Sequence, residues 1–293
     1  MFKPNLYFTP LNYDELYILL EKYPDNSRII GGGTTIYELA HKGLLSDINV
    51  LIDLKNLNLI NIIEVNNSLK IETSVTFNQM ENNSIITGSH SYSSISDSLK
   101  QIHPIQVKNV ATIGGTICAS IPFYDLPVSL VSSDSKVIIS SSNGERSVPI
   151  DEFFIDYFFT ILQSGEFVRE LLIPNLSNSA GAFEKFALTG NDWALVNASI
   201  QIQLDENKCI KYVRIALGGG IGNKIIRAIN VENSLINQIP NLNIINKSSK
   251  LIFDDVNPID DVRASSNYRK KLYPVIIKKV ILKSLNRLGV NLN

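Results

Sequence analysis

The feature that most narrows the possible folds is a change of hydrophobic period near Leu59. Before it, "LNYDELYILLEKYPDN" puts Leu16, Leu19 and Leu20 at helical spacing and stops at Pro24. "SRIIGGG" reads as a short strand running into a glycine turn, "TTIYELAHKGLL" as a helix ended by Gly43, and "INVLIDLKNL" as a buried strand. Helix, strand, glycine turn, helix, strand is an α/β unit with its loops at one edge of a sheet.

After Leu59 the segments shorten and alternate, in "LINIIEVNNSLKIETSVTF" and later in "KVIISSSNGERSVPI", where Asn143-Gly144 between two β-rich runs signals a hairpin. "SYSSISDSLKQI" between them is helical with a serine-rich face, and "GEFVRELLIPNL" is a further strand ending at Pro174. The stretch "SNSAGA" (177–182) reads as a small-residue linker. Beyond it lie a strand in "FEKFAL" and two more strands around "DENK". The rest is helical, with Pro274 expected to kink or break the last helix. The expected fold class is α+β, in three parts: 1–57, 58–176 and 177–293.

Composition excludes several classes. A net charge of −1 over 293 residues gives no basic footprint for nucleic acid. The two cysteines, Cys118 and Cys209, have no second Cys or His at ligand spacing, so this chain alone builds neither a zinc site nor an iron–sulfur cluster. His41, His90 and His103 are equally scattered. The start "MFKPNLYFTP" has no apolar leader core, and no run of about 18 apolar residues suits a membrane span. The expectation is a soluble, cytoplasmic protein.

Two glycine clusters carry the chemistry. In "IIGGGTTI", Ile29–Ile36, consecutive glycines between strand and helix let a ligand approach the backbone and turn N–H groups toward a phosphate. A tight structural turn and a phosphate nest both fit. A Rossmann loop would need Gly or Ala where Ile36 stands, and Asp53, its would-be ribose acid, sits inside "LIDLKNL". "ATIGGT" repeats the pattern with Gly114 and Gly115 between Thr112 and Thr116. Downstream, Asp125 is a carboxylate in apolar company, costly unless hydrogen-bonded to a ligand hydroxyl or to a backbone N–H. A third cluster, "ALGGGIGNK", reads as a strand-exit turn, and "DDVRASSNYRKKL" as a solvated helix start capped by Ser265 or Ser266.

Together, "IIGGGTTI", "VKNVATIGGT", "IPFYDLP", "GERSVPIDEFF", "GEFVRELLIP", "FEKFALTGNDWALVNASI", "ALGGG", "RAINVENSL" and "DVRASSNYRKKL" resemble, in order and spacing, the FAD-binding medium subunit of the molybdenum hydroxylases. These include carbon monoxide dehydrogenase, the xanthine dehydrogenases and aldehyde oxidoreductases. The resemblance implies a two-subdomain FAD-binding fold of the PCMH/vanillyl-alcohol-oxidase type, with FAD in the cleft between the first two parts. A C-terminal domain of a small antiparallel sheet plus a helical bundle would cover one side of the ring.

It implies that Ile29, Ile30, Gly31, Gly32, Gly33, Thr34, Thr35 and Ile36, with Thr112, Gly114, Gly115 and Thr116, wrap the FAD pyrophosphate with backbone amides. Asp125 would accept from cofactor hydroxyls; Ile102 and Val168 would contact the cofactor. Lys185 would lie near it, with a one-residue ambiguity against Glu184. Trp193 is left open between a core anchor and flat cover for the isoalloxazine ring. The chain departs from the family pattern at Thr35, Lys108 and Thr116, where relatives often carry Asp, Arg and Asn, and "ALTGND" lacks the usual arginines.

The implied function is electron transfer from [2Fe-2S] clusters of a small partner subunit, through FAD, to an external acceptor, with hydroxylation at molybdopterin on a large partner subunit. No catalytic acid or base is expected on this chain. The alternatives are a stand-alone flavin oxidoreductase and a non-catalytic FAD-binding scaffold. Valine at Gly114 or Gly115 is expected to abolish FAD retention with little loss of fold, and alanine at Asp125 to weaken FAD alone.

Overall fold

The computed structural model describes residues 3–292. They form two compact bodies: the first takes the chain up to Met80, Pro104–Ser120 and Lys136–Leu172, the second Glu81–His103, Ile121–Ser135 and the chain from Ile173 onward. The chain passes between the bodies several times, at places that no linker composition announces.

In the first body, β1 (Leu6–Phe8), β2 (Ser27–Ile30) and β3 (Val50–Asp53) form a parallel sheet in the order β1-β3-β2. The helix Tyr13–Lys22 begins where the Asn12 side chain accepts from the Glu15 N–H, and buries Leu16 and Leu20 against Val50, Ile52 and Phe167. The helix Thr34–His41 follows directly on Gly33.

An antiparallel group follows: β4 (Ile62–Val65), β5 (Ser68–Glu72), β6 (Lys136–Ser141) and β7 (Gly144–Pro149), with a small hairpin of β8 (Phe154–Asp156) and β9 (Phe159–Thr160), and then β10 (Phe167–Pro174). The five-stranded sheet runs β4-β5-β10-β6-β7. The hairpin expected at Asn143-Gly144 is present one residue earlier: Ser141 pairs with Gly144, so Ser142 and Asn143 make the loop. β4 and β5 are joined by Asn66 and Asn67, both with positive φ (50° and 58°), the backbone of a type I′ turn.

The second body is built on β11 (Ser179–Phe186), β12 (Val196–Leu204), β13 (Ile210–Gly219) and β14 (Ile226–Arg227), antiparallel in that order. "SNSAGA" is not a linker: Ser179–Ala182 begin β11. Their smallness permits close packing, since a Cβ on Gly181 would lie 2.8 Å from the Ser94 backbone nitrogen. Ser94 belongs to the helix Ser93–Lys100, whose serine face turns inward, and its hydroxyl lies 3.2 Å from that of Ser133.

The last helix, Ser266–Arg287, is capped by the Ser265 hydroxyl and runs unbroken through Pro274. Proline removes a hydrogen bond and crowds the preceding turn, a cost of about 3 kcal/mol. Tyr273, Ile276, Ile277, Val280 and Ile281, on both sides of the proline, are buried with Ile200, Ile202, Ile215 and Leu217, and that apolar burial outweighs it. Among the described residues no helix is long and apolar enough to cross a membrane.

Candidate functional site

In the first body, β2 ends at Ile30 and the Thr34–His41 helix begins four residues later. Gly33 makes the connection with a φ of 72°, which costs a residue with a Cβ and costs glycine little. The backbone N–H groups of Gly31, Gly32, Gly33 and Thr34 donate to no other described residue. Consecutive undonated amides running into a helix N-terminus form a positively polarised concavity suited to an anion. Gly32 is also needed for packing: a Cβ there would stand 1.6 Å from the Val110 carbonyl oxygen.

The second glycine segment is a helix start rather than a strand-to-helix connection like the first. Ile105–Val110 is a short helix, Thr112 caps a second one, Ile113–Cys118, and Gly114 and Gly115 lie in its first turn. Its amides are committed within the body. Ile113 donates to the Val75 carbonyl, Gly114 to the Thr73 carbonyl, Gly115 to the Thr112 hydroxyl (3.1 Å) and Thr116 to the Thr112 carbonyl. The two glycines differ in kind. A Cβ on Gly114 would meet the Thr73 hydroxyl at 1.8 Å and the Thr73 carbonyl at 2.8 Å, whereas Gly115 is exposed and meets only the Thr112 hydroxyl, at 3.0 Å. The expectation that either glycine can become valine without loss of fold is therefore overturned for Gly114. Thr116 is buried, and so is Val168 on β10, opposite Ile139 of β6.

In the second body, Asp125 opens the helix Asp125–Ser132, and its carboxylate is buried. Lys185 Nζ donates to one oxygen at 2.8 Å and to the Gln101 carbonyl at 3.0 Å, while Asn197 Nδ2 donates to the other carboxylate oxygen at 2.9 Å. Burial pushes the Asp125 carboxyl up, and Lys185 and Asn197 pull part of that shift back. Between the neighbours Glu184 and Lys185, it is Lys185 that meets Asp125; Glu184 pairs with Lys283 at 2.7 Å. Removing Asp125 would thus strand a buried cation, so the expectation that Asp125→Ala leaves the fold untouched does not survive. Ile102 lies half-buried just beyond the Ser93–Lys100 helix, its N–H donating to the Leu99 carbonyl.

Trp193 is half-buried and stacks on Phe123 with centroids 5.8 Å apart and planes 14° apart, Tyr124 standing edge-on at 5.9 Å. It is thus neither a sealed core anchor nor an isolated surface ring. Asn197, Gln101 and Phe123 carry no signal in the sequence, because their partners lie on distant segments; the β11–β12 register sets Asn197 beside Lys185, and the fold brings Gln101 to Lys185 and Phe123 to Trp193.

An α/β unit joined to an antiparallel sheet, followed by a four-stranded sheet under a long helix, is an architecture with solved counterparts. Quinoline 2-oxidoreductase from Pseudomonas putida 86 superposes with a TM-score of 0.90 at 24% identity over 99% of both chains. Carbon monoxide dehydrogenase from Oligotropha carboxidovorans does so with a TM-score of 0.90 at 20% identity, over 98% of this chain and all of that one. Such likenesses define the fold.

This chain belongs to the family of the FAD binding domain in molybdopterin dehydrogenase, whose model matches residues 1–176; that of the CO dehydrogenase flavoprotein C-terminal domain matches residues 181–284. Among curated proteins it is 28% identical to the glyceraldehyde dehydrogenase medium chain of Sulfolobus acidocaldarius, over 87% of this chain and 89% of that one. It is also 28% identical to the 6-hydroxypseudooxynicotine dehydrogenase complex subunit alpha of Paenarthrobacter nicotinovorans, over 92% and 90%. The family makes the chain an FAD-dependent oxidoreductase subunit, and the residues present fit that cofactor. The undonated amides of Gly31–Thr34 suit a pyrophosphate, and the open face of Gly115 leaves room for one.

Proposed function

We propose that the chain is the electron-transfer subunit of a cytoplasmic, multi-subunit molybdenum hydroxylase. It would carry electrons from iron–sulfur clusters of a smaller partner to an external acceptor, with substrate hydroxylated at molybdopterin on a larger one. The observation that carries this reading is the row of undonated amides at Gly31–Thr34 in a chain of this family. Bound FAD supplies the exchange between single-electron and two-electron chemistry.

The roles of the chain's own residues follow from their surroundings. Gly31, Gly32, Gly33 and Thr34 would donate to the pyrophosphate, flanked by Ile29, Ile30, Thr35 and Ile36. Thr112, Gly114, Gly115 and Thr116 would shape its floor by contact, the amides of Gly114, Gly115 and Thr116 being committed already. Asp125 has both oxygens engaged, yet each retains a lone pair for a cofactor hydroxyl. Lys185 would hold the Asp125 carboxyl aimed, Ile102 and Val168 would exclude water, and Trp193 would give the ring flat cover. We divide the chain functionally into parts 1–57, 58–176 and 177–293.

Neither Cys118 nor Cys209 has a second Cys or a His at ligand spacing, which supports clusters carried by a partner. Affinity purification of the tagged chain from its native cells tests the reading. A molybdenum-containing larger chain and an iron–sulfur smaller chain should co-elute, and the flavin should bleach when the smaller chain is reduced first. A flavin-bearing monomer that turns over a substrate without partners would overturn it.

A further inference from the structure

We infer that Arg263 is a positioning residue that holds Phe123 and Trp193 parallel, through a lock made of Asp261, Arg269 and the glycine run at Gly218–Gly220. The inference rests on the proposal that Trp193 covers the flavin, and it gives a function to the two C-terminal motifs that read in the sequence as a strand exit and a solvated helix start.

The Arg263 guanidinium carbon lies 4.0 Å over the centroid of Phe123 and 5.8 Å from that of Trp193. Its Nε and Nη2 donate to the same Asp261 oxygen at 3.1 and 2.5 Å, while Nη1 has no hydrogen-bond partner among the described residues. One edge of the guanidinium is thus pinned, and its plane is left to lie against the ring. Lysine cannot divide its head group in this way.

Asp261 is fixed in turn. Its other oxygen accepts from the backbone N–H groups of Arg263 (2.8 Å) and Ala264 (3.1 Å) and from Arg269 Nη2 (2.7 Å). Partial burial alone would raise this carboxyl, but the hydrogen bonds from Arg269 and Arg263 outweigh it and hold it well below the usual carboxylate range.

Arg269 is wholly buried and donates to the carbonyls of Leu195 and Ile259. Leu195 stands two residues after Trp193, so the buried arginine ties the chain that carries the indole to the loop that carries Arg263. The glycine run makes room for it: a Cβ on Gly220 would fall 2.3 Å from the Arg269 guanidinium carbon, and the Gly220 N–H donates to the Leu195 carbonyl as well. The half-buried indole is therefore held by a cation on one neighbour and a backbone anchor two residues on, rather than by a surrounding core.

The test uses the chain's single tryptophan as reporter. Full-length wild type, Arg263→Gln and Arg263→Lys are compared by indole emission anisotropy and acrylamide quenching without FAD, then by FAD titration. Both variants should keep the far-ultraviolet circular dichroism of the wild type, because Asp261 and Arg269 remain paired. Both should free the indole, with lower anisotropy and greater access to acrylamide, and weaken FAD about five-fold, the worth of one cation–π contact. An indole as rigid and shielded in both variants as in wild type would overturn the inference. Should Arg263→Gln fail to fold, Arg263→Lys alone decides, wild-type behaviour refuting the planar contact and a freed indole upholding it. Failure of the underlying reading looks different: FAD would bind with full absorbance yet leave the wild-type indole emission unquenched.

Discussion

Gly32 and Val110 meet so closely that a Cβ on the glycine would stand 1.6 Å from the valine carbonyl oxygen. The two glycine-bearing segments of the first body are thus packed backbone on backbone. Gly32→Ala should therefore destabilise the full chain by about 3 kcal/mol, at the upper end for overpacking, whether or not FAD is present. Urea unfolding with and without FAD checks this: a loss in both is the expected result, larger with FAD because the displaced loop also carries the proposed pyrophosphate donors.

Gly115 should separate cofactor from fold. Its Cβ direction is open apart from the Thr112 hydroxyl, so Gly115→Val should cost about 1 kcal/mol or less of stability while FAD retention through gel filtration is lost. Gly114→Val, aimed at the Thr73 backbone, should lose both together. Flavin absorbance and urea midpoints measured on the same samples give the comparison.

Asp125→Ala should destabilise by about 3–5 kcal/mol, because it leaves the Lys185 cation buried without its partner. A double replacement, Asp125→Leu with Lys185→Met, should recover most of that loss, since apolar side chains of similar volume often replace a buried ion pair without penalty. If the pair serves the cofactor, the rescued protein still binds FAD more weakly than wild type. Full FAD affinity in the double variant would make the pair purely structural.

Asp97 sets an acid limit on the second body. It is buried, accepts two hydrogen bonds from Arg287 at 2.8 Å, and lies 3.2 Å from Lys283, both on the last helix. Burial raises its carboxyl, but Arg287, Lys283 and the Phe183 N–H outweigh that and leave it below the ordinary value. A carboxyl lowered by folding stabilises fully above its unfolded pKa of about 3.9, and that stability drains away as pH falls through the lower, folded value. Urea midpoints taken from about pH 7 to pH 3 should fall for wild type across that window. Asp97→Asn should be less stable at neutral pH and show a shallower acid slope.

Periodicity and turn chemistry made the Tyr13–Lys22 and Thr34–His41 helices and the β12–β13 hairpin readable, because each is decided within a dozen residues. What was misread depended on partners far along the chain. Ser179–Ala182 have the composition of a linker and form a strand because the Ser93–Lys100 helix needs small residues to lie close. The helix start at Ile113 reads as a loop because, beyond its local cap Thr112, two of its first-turn amides donate to the distant carbonyls of Thr73 and Val75. Pro274 marks a break on propensity alone, and tertiary packing overrides it. In the candidate site, the glycines were legible as a type of chemistry. That Gly32 and Gly114 are held by packing, whereas Gly115 is open, depends on residues distant in the chain.

FAD binding through the amides of Gly31–Thr34 underlies the proposed function. The most direct measurement is the flavin content of the purified full-length chain after reconstitution and gel filtration, read from the visible flavin bands against protein concentration. The account predicts stoichiometric FAD in the wild type. A folded chain, judged by circular dichroism, that elutes without flavin would contradict it.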